Sequence, residues 1–190
     1  MPIVTCLFLL IAAGPREGVA KGTLAPAAAE KLIDERAHQT IVLIQSHDWK
    51  GLVPFVHPVK GLCLSPYNAA CEKGMPLATL AELWESGKKL TWGSYDGSGE
   101  AIRLSLQDYY RRLVWDRDFA AAKSVLYNAY VDRGGDHYDV LETHPGDVVV
   151  DFHVPQRRPD QHDWRSLRLV FEKSADTWYL VAIVHDEWTI

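Results

Sequence analysis

The chain has no run of basic residues, only three cysteines among 190 residues, and none of the short motifs that mark a metal or phosphate site. A formal net charge of -5 and a pI near 5.9 disfavour nucleic acid as a partner, because phosphate binding needs a clustered Lys and Arg surface. His-Glu-x-x-His, Cys-x-x-Cys and an EF-hand loop are absent, and Gly97-Ser98-Gly99 lacks the Lys that follows in a phosphate loop. We therefore predict no metal, no cofactor and no nucleic-acid partner.

The chain also lacks internal repeats and low-complexity tracts, and its length suits one domain better than two. Its hydrophobic fraction of 47%, with seven Trp and eight Tyr, excludes a disordered chain. The sequence therefore predicts one domain with a substantial core.

An apolar run, Ile3 to Ala13, stands near the N-terminus and is followed by the small residues Gly18-Val19-Ala20. The run is too short to span a membrane and is typical of a cleaved export signal, although Met1-Pro2 carries no positive charge. A buried N-terminal strand or helix is the alternative. No cysteine follows the run in the context that a lipid anchor needs. We predict a signal peptide at 1–20, a tether at 21–26, a single domain at 27–190 with no integral membrane segment, and a secreted or periplasmic location.

Two cysteines remain if Cys6 leaves with the signal. Cys63 and Cys71 lie eight positions apart, and Pro66 and Asn68 between them favour a turn. In an oxidising compartment this spacing predicts a disulfide, which would contribute roughly 2.5 kcal/mol on the loop-entropy model. Two buried free thiols are the alternative.

Helical periodicity dominates the first two thirds of the chain. Helices are predicted from Ala27 to Gln45, for a short stretch after the N-cap candidates Ser46 and Asp48, and from Leu77 to Ser86. A further helix begins at Ser105, with Asp108 as the partner of a partial capping box.

Extended patterns dominate the last third. Asp163 to Ile190 predicts a long antiparallel hairpin, with Leu167, Leu169 and Phe171 on one face and a turn between Lys173 and Asp176. Helices followed by long antiparallel strands predict an α+β fold, with N-terminal helices packed in the concave face of a curved, mainly antiparallel, cone-like sheet. Shorter strands are predicted at Gly61 to Tyr67, Leu90 to Tyr95, Ala101 to Leu104, Tyr138 to Thr143 and Asp147 to Val154.

This order of elements resembles the nuclear transport factor 2-like, cystatin-like cone superfamily over roughly Ala27 to Ile190. The resemblance is carried by Asp48-Trp49-x-x-Leu52-x-x-Phe55-Val56 after the first helix and by the closing Trp178-Tyr179-Leu180-Val181 strand. Within that superfamily, the stretches 55–67, 91–99 and 164–172 further resemble a group of uncharacterised secreted bacterial proteins. The resemblance implies an envelope location, and it implies either a binding module or an enzyme, since the superfamily contains both.

A polar set on the predicted strands suggests chemistry. Asp151 and His153 are two residues apart on one strand and therefore point to the same side. If that side faces the interior of the cone, Asp151 could orient His153 as a general base, with Arg168 polarising a substrate oxygen and His185 alongside. The alternative is a solvated sheet face with ordinary cross-strand charge pairs, which is common in antiparallel sheets.

A second set of residues is aromatic. His57, Tyr67, Trp92 and Tyr95 could line the mouth of the cone and stack on a flat or sugar-like ligand, or could pack as part of the lid. We predict a domain that binds a small molecule or an envelope partner through its cone pocket or sheet face. A dehydratase or isomerase using the His and Asp pair, and a homodimer joined through the sheet, are the alternatives.

Overall fold

A computed structural model describes residues 23–67, 74–131 and 140–189. The predicted signal peptide, Cys71 and the first residues of the predicted strand from Tyr138 lie outside the described residues. The helices are α1 (Pro26–Gln45), α2 (Leu77–Ser86), α3 (Leu106–Leu113) and α4 (Val140–Thr143). The strands are β1 (Cys63–Ser65), β2 (Lys89–Ser94), β3 (Ala101–Ser105), β4 (Ser124–Tyr127), β5 (Val148–Val154), β6 (Arg165–Ser174) and β7 (Thr177–Glu187).

The predicted hairpin is formed by β6 and β7, which lie in the interior of the main sheet. Its turn consists of Ala175 and Asp176, and Ala175 takes a left-handed conformation with a φ of 54°. Leu167, Leu169 and Phe171 point to one face and are fully buried there. The predicted hairpin and the predicted inward face are both confirmed.

The main sheet has the strand order β1-β7-β6-β5-β4 among the described residues. Adjacent strands in this sheet pair antiparallel, except that β1 runs parallel to β7, with Cys63 opposite Ala182. A second sheet is the hairpin of β2 and β3. The α+β class is therefore confirmed. No described helix combines the length and the apolar character that a membrane crossing requires.

One face of the main sheet, which we call the inner face, is packed against the helices. The buried side of α1 presents Ile33, Ile41 and Ile44 at helical spacing, and Pro26 fits its first turn because Pro has no amide hydrogen to leave unpaired there. These side chains join one core cluster with Val150 and Phe152 of β5. The space between helices and sheet is thus filled by side chains.

The opposite face, which we call the outer face, is also covered. Val149 and Val170 on this face are fully buried in a second apolar cluster, together with Tyr130 and with Val140 and Leu141 of α4. The expectation of a solvated sheet face is therefore wrong, because Tyr130 and α4, which precede β5 in the chain, pack against this face. The apolar exposed face on which the predicted homodimer depended is not found among the described strands.

Two predicted elements differ in the structure. The stretch after Asp48 forms consecutive turns instead of a helix: amide hydrogen bonds reach back three residues at Val53 and Phe55 but four residues at Leu52. Pro54 offers no amide hydrogen, which prevents a regular ladder there. Asp48 still caps this stretch, because its Oδ1 accepts a hydrogen bond from the amide of Gly51 at 2.8 Å.

The second difference is at Val140–Thr143, which is predicted as part of a strand and forms the helical turn α4. Val140 and Leu141 are consecutive and both buried, so they cannot follow the alternation of a half-buried strand. A helical turn lets both side chains pack on the outer face.

Candidate functional site

A charged cluster lies on the outer face, beneath Tyr130. Asp151 of β5 is directly opposite Arg168 of β6, and Arg168 donates to Asp186 of β7 with 2.7 Å between Nη2 and Oδ2. The Nε of Arg168 is 3.8 Å from Oδ1 of Asp151. The guanidinium also lies under the Tyr130 ring, 4.8 Å from its centroid. Asp151 and Arg168 are at most 1% exposed, so this ionic cluster is shielded from solvent.

Several polar atoms of this cluster are buried without a hydrogen bond. Both oxygens of Asp151, Nε and Nη1 of Arg168 and Oδ1 of Asp186 are in this state. Burial raises the pKa of Asp151 to about 6, and the positive charge of Arg168 opposes the shift. The Ser166 hydroxyl and the Val131 amide also lower this pKa without completing a hydrogen bond of normal geometry. The cluster therefore holds two carboxylates and one guanidinium at a cost in desolvation.

His153 lies one row further along the same face. It is opposite Ser166, and its Nδ1 is 2.9 Å from the Ser166 hydroxyl. The ring of Trp164 is 6.0 Å away between centroids. The structure thus brings Asp151, His153 and Arg168 to one face, as predicted, but that face is the outer one and not the interior between helices and sheet.

His185 is not part of this group. It is opposite Leu167 and therefore points to the inner face, where its Nε2 is 3.2 Å from Oδ1 of Asp116 in the loop after α3. The expectation that His185 lies beside Arg168 is wrong. The cause is a β-bulge: Val170 pairs with Ala182 but Phe171 pairs with Leu180, so β7 contains one extra residue. One extra residue exchanges the faces of all later side chains.

Asp116 and His185 belong to a second charged cluster at this end of the inner face. Arg165 bridges Asp116, at 2.6 Å, and Glu187, at 2.9 Å. Arg112 of α3 donates two further hydrogen bonds to Glu187. Burial raises the pKa of Asp116, but the bonds from His185 and Arg165 outweigh it and leave this pKa below its ordinary value.

This second cluster places three residues that can ligate a metal ion close together. One atom each of Asp116, His185 and Glu187 lie within 4.8 Å of one another. However, Arg165 contacts both carboxylates and Arg112 contacts Glu187, so their charge is already neutralised by guanidinium groups. The arrangement fits a structural ion-pair network better than a metal centre.

The predicted aromatic set is divided between two ends of the fold. Tyr67 lies near Glu187, and burial together with that carboxylate raises the pKa of Tyr67 to about 12. Trp92 packs on the Tyr109 ring with 4.6 Å between centroids and donates to the Leu104 carbonyl. Tyr95 also lies at this end, since it contributes to the raised pKa of Tyr67.

His57 lies apart from the other three aromatic residues. Its amide donates to the Leu180 carbonyl, and its ring is 5.5 Å from that of Tyr179 near the start of β7. The four predicted residues therefore do not form one binding surface.

A cavity of about 620 Å³ opens on the outer face at the other end from the ionic cluster. We call it the outer cavity. Its floor is apolar and is formed by Cys63 of β1 and by Val181 and Ala182 at the bulge of β7. Lys60 forms an ion pair with Glu172 beside it, and the Nδ1 of His144 lies 3.2 Å from Oδ2 of Asp147.

A second depression, of about 600 Å³, lies on the solvent side of α1. It is lined by Val42 and Leu43 of α1 and by Phe55 from the turns that follow. Val42 is 54% exposed, so part of this surface is open to solvent.

The residues of the outer cavity, apart from Cys63, were not predicted from the sequence. Lys60 and Glu172 are 112 positions apart, and their meeting depends on the parallel pairing of β1 with β7. Nothing local in the sequence signals this pairing. Cys63 is disulfide-bonded, and since both other cysteines lie outside the described residues, its pairing with Cys71 stays a prediction.

Comparison of the chain with protein-family models, with curated proteins and with solved structures finds no match. The resemblance to the cone superfamily therefore stays a prediction. The fold and the side chains defined above are the basis for a functional assignment.

Proposed function

We propose that this chain is a binding domain and that a small molecule occupies the outer cavity. The observation that carries the proposal is the shape and chemistry of this cavity: about 620 Å³, an apolar floor and polar groups at the edge. Small-molecule sites are commonly concave, mostly apolar, and a few hundred to a thousand cubic ångströms in volume. The bulge in β7 helps to form the floor, because it adds Val181 to the outer face beside Ala182.

The enzyme alternative receives less support from the geometry. Proton transfer by His153 requires a substrate within hydrogen-bonding reach, yet His153 is 2% exposed and lines neither the outer cavity nor the depression on α1. Asp151 and Arg168 are equally enclosed, and His185 lies on the other face. These residues are better explained as a buried polar network that fixes the position of the strands.

Export to the bacterial envelope is part of the same proposal. It is supported by the apolar run from Ile3 to Ala13 and by the disulfide at Cys63, since disulfides persist in oxidising compartments. The tryptic peptide 61–73 contains both Cys63 and Cys71. We expect mass spectrometry of unreduced periplasmic protein to find this peptide lighter by two hydrogens and resistant to iodoacetamide until it is reduced. Alkylation of both cysteines without reduction would show that they do not pair.

A substitution in the floor tests the binding function. We expect dansylamide, a neutral fluorescent probe, to bind the wild-type chain with a saturable rise in emission. Ala182→Leu places three more carbon atoms on the floor of the cavity and should abolish this saturable rise. Ala121→Leu makes the same change at an exposed position away from the cavity and should leave the titration unchanged.

Thermal unfolding of both variants establishes that each is folded at the temperature of the titration. A folded Ala182→Leu variant that binds dansylamide as the wild type does would contradict the placement of the ligand in the outer cavity.

A further inference from the structure

The charged side chains that line the outer cavity favour a cation over an anion. Among the described residues that line it, the basic groups are Lys60 and His144, and the acidic groups are Glu172 and Asp147. The formal charges of Lys60, Glu172 and Asp147 sum to one negative charge. Lys60 is also the most exposed of the four, with 56% of its side chain accessible, so water screens its ammonium group most.

Within the described part of the chain, both carboxylates also have hydrogen-bonding capacity that no partner uses. Lys60 contacts only Oε2 of Glu172, and the ring of His144 contacts only Oδ2 of Asp147. The second oxygen of each carboxylate accepts no hydrogen bond from a described residue. A carboxylate oxygen accepts and never donates, so both positions suit a ligand that carries N–H or O–H groups.

The floor of the cavity favours an apolar group in the rest of the ligand. Val181 and Ala182 have purely hydrocarbon side chains, and Cys63 is disulfide-bonded and so brings no thiol proton. Burial of an apolar group against this floor is favourable because it removes both surfaces from water.

We infer that the ligand of the outer cavity is an amphipathic amine, with an apolar body on the floor of β7 and an ammonium head between Glu172 and Asp147. This inference rests on the proposed function and specifies its ligand class. An anionic molecule of the same shape would meet two partly shielded carboxylates, with 25% and 15% of their side chains exposed, and would be repelled.

Two probes with the same apolar body and opposite end charges test this inference. Dansylcadaverine ends in an ammonium group and dansyl-aminohexanoate in a carboxylate, on linkers of similar length. At low ionic strength we expect the wild-type chain to bind the cationic probe roughly fivefold more tightly than the anionic probe. Glu172→Gln and Asp147→Asn should each lower the affinity for the cationic probe by roughly threefold and should not lower the affinity for the anionic probe.

Asp160→Asn is the matched control, because Asp160 is 76% exposed and does not line the cavity. It should leave both affinities unchanged. Equal binding of the two probes, or tighter binding of the anionic one, would overturn the amine assignment while leaving a ligand cavity in place. Absence of saturable binding for both probes and for dansylamide would overturn the proposed function itself.

Discussion

Replacement of Arg168 by Met is expected to lower the free energy of unfolding by about 3–5 kcal/mol, because it leaves two buried carboxylates without their cation. Arg168 is 1% exposed and is the only guanidinium that the structure shows among the described residues of this cluster. Met keeps most of the side-chain volume, so the loss reports charge and hydrogen bonding more than packing. Urea unfolding followed by Trp fluorescence measures the change.

Two further variants make this result interpretable. Arg158→Met removes a guanidinium that is 67% exposed and paired with Asp160, and we expect a loss of less than about 1 kcal/mol. Combining Arg168→Met with Asp151→Leu and Asp186→Leu should recover most of the loss, because a buried ion cluster can be replaced by apolar side chains. If Arg168→Met alone costs no more than Arg158→Met, Arg168 does not neutralise buried carboxylates.

Replacement of Asp151 by Asn is expected to change the pH dependence of stability. Burial raises the pKa of Asp151 in the folded state to about 6, above its ordinary value of 3.8. Between pH 3.8 and pH 6, Asp151 is therefore protonated in the folded protein and ionised in the unfolded chain. The contribution of this group to stability is fully present below pH 3.8 and is lost as the pH rises through 6. At neutral pH the ionised side chain then costs about 2–3 kcal/mol relative to its protonated form.

Asn resembles the protonated carboxyl group in shape and carries no charge, and Arg168 keeps Asp186 as its partner. The stability of Asp151→Asn relative to the wild type should therefore rise by about 2 kcal/mol between pH 4.5 and pH 7.5. Comparing the two proteins at each pH removes the effect of all other titrating groups. A difference that is constant with pH, or that falls as the pH rises, would contradict a raised pKa for Asp151.

Local patterns in the sequence were sufficient for much of the fold. Ile33, Ile41 and Ile44 repeat at helical spacing and predict α1, while the alternation of Leu167 and Leu169 predicts the inner face of β6. Alternation also predicts that Asp151 and His153 share a face, and the structure adds Arg168 directly opposite Asp151. These features depend on neighbours along one strand or helix, which a sequence displays directly.

Features that depend on distant residues could not be predicted. Leu180 to Val184 is apolar throughout, so nothing in this run shows that Val181 is an extra residue and that His185 consequently points inward. The burial of the outer face depends on Tyr130 and α4, which lie far from β6 in sequence. The outer cavity likewise arises where β1 meets β7, and its charged residues show no recognisable spacing.

The most direct test of the binding function is to locate a bound probe by hydrogen–deuterium exchange at saturating dansylamide. We expect slower exchange at the amides of 59–63, 143–147 and 181–182, which surround the outer cavity. Protection confined to 35–55, where the depression on α1 lies, with no change at the outer cavity, would contradict the proposed site.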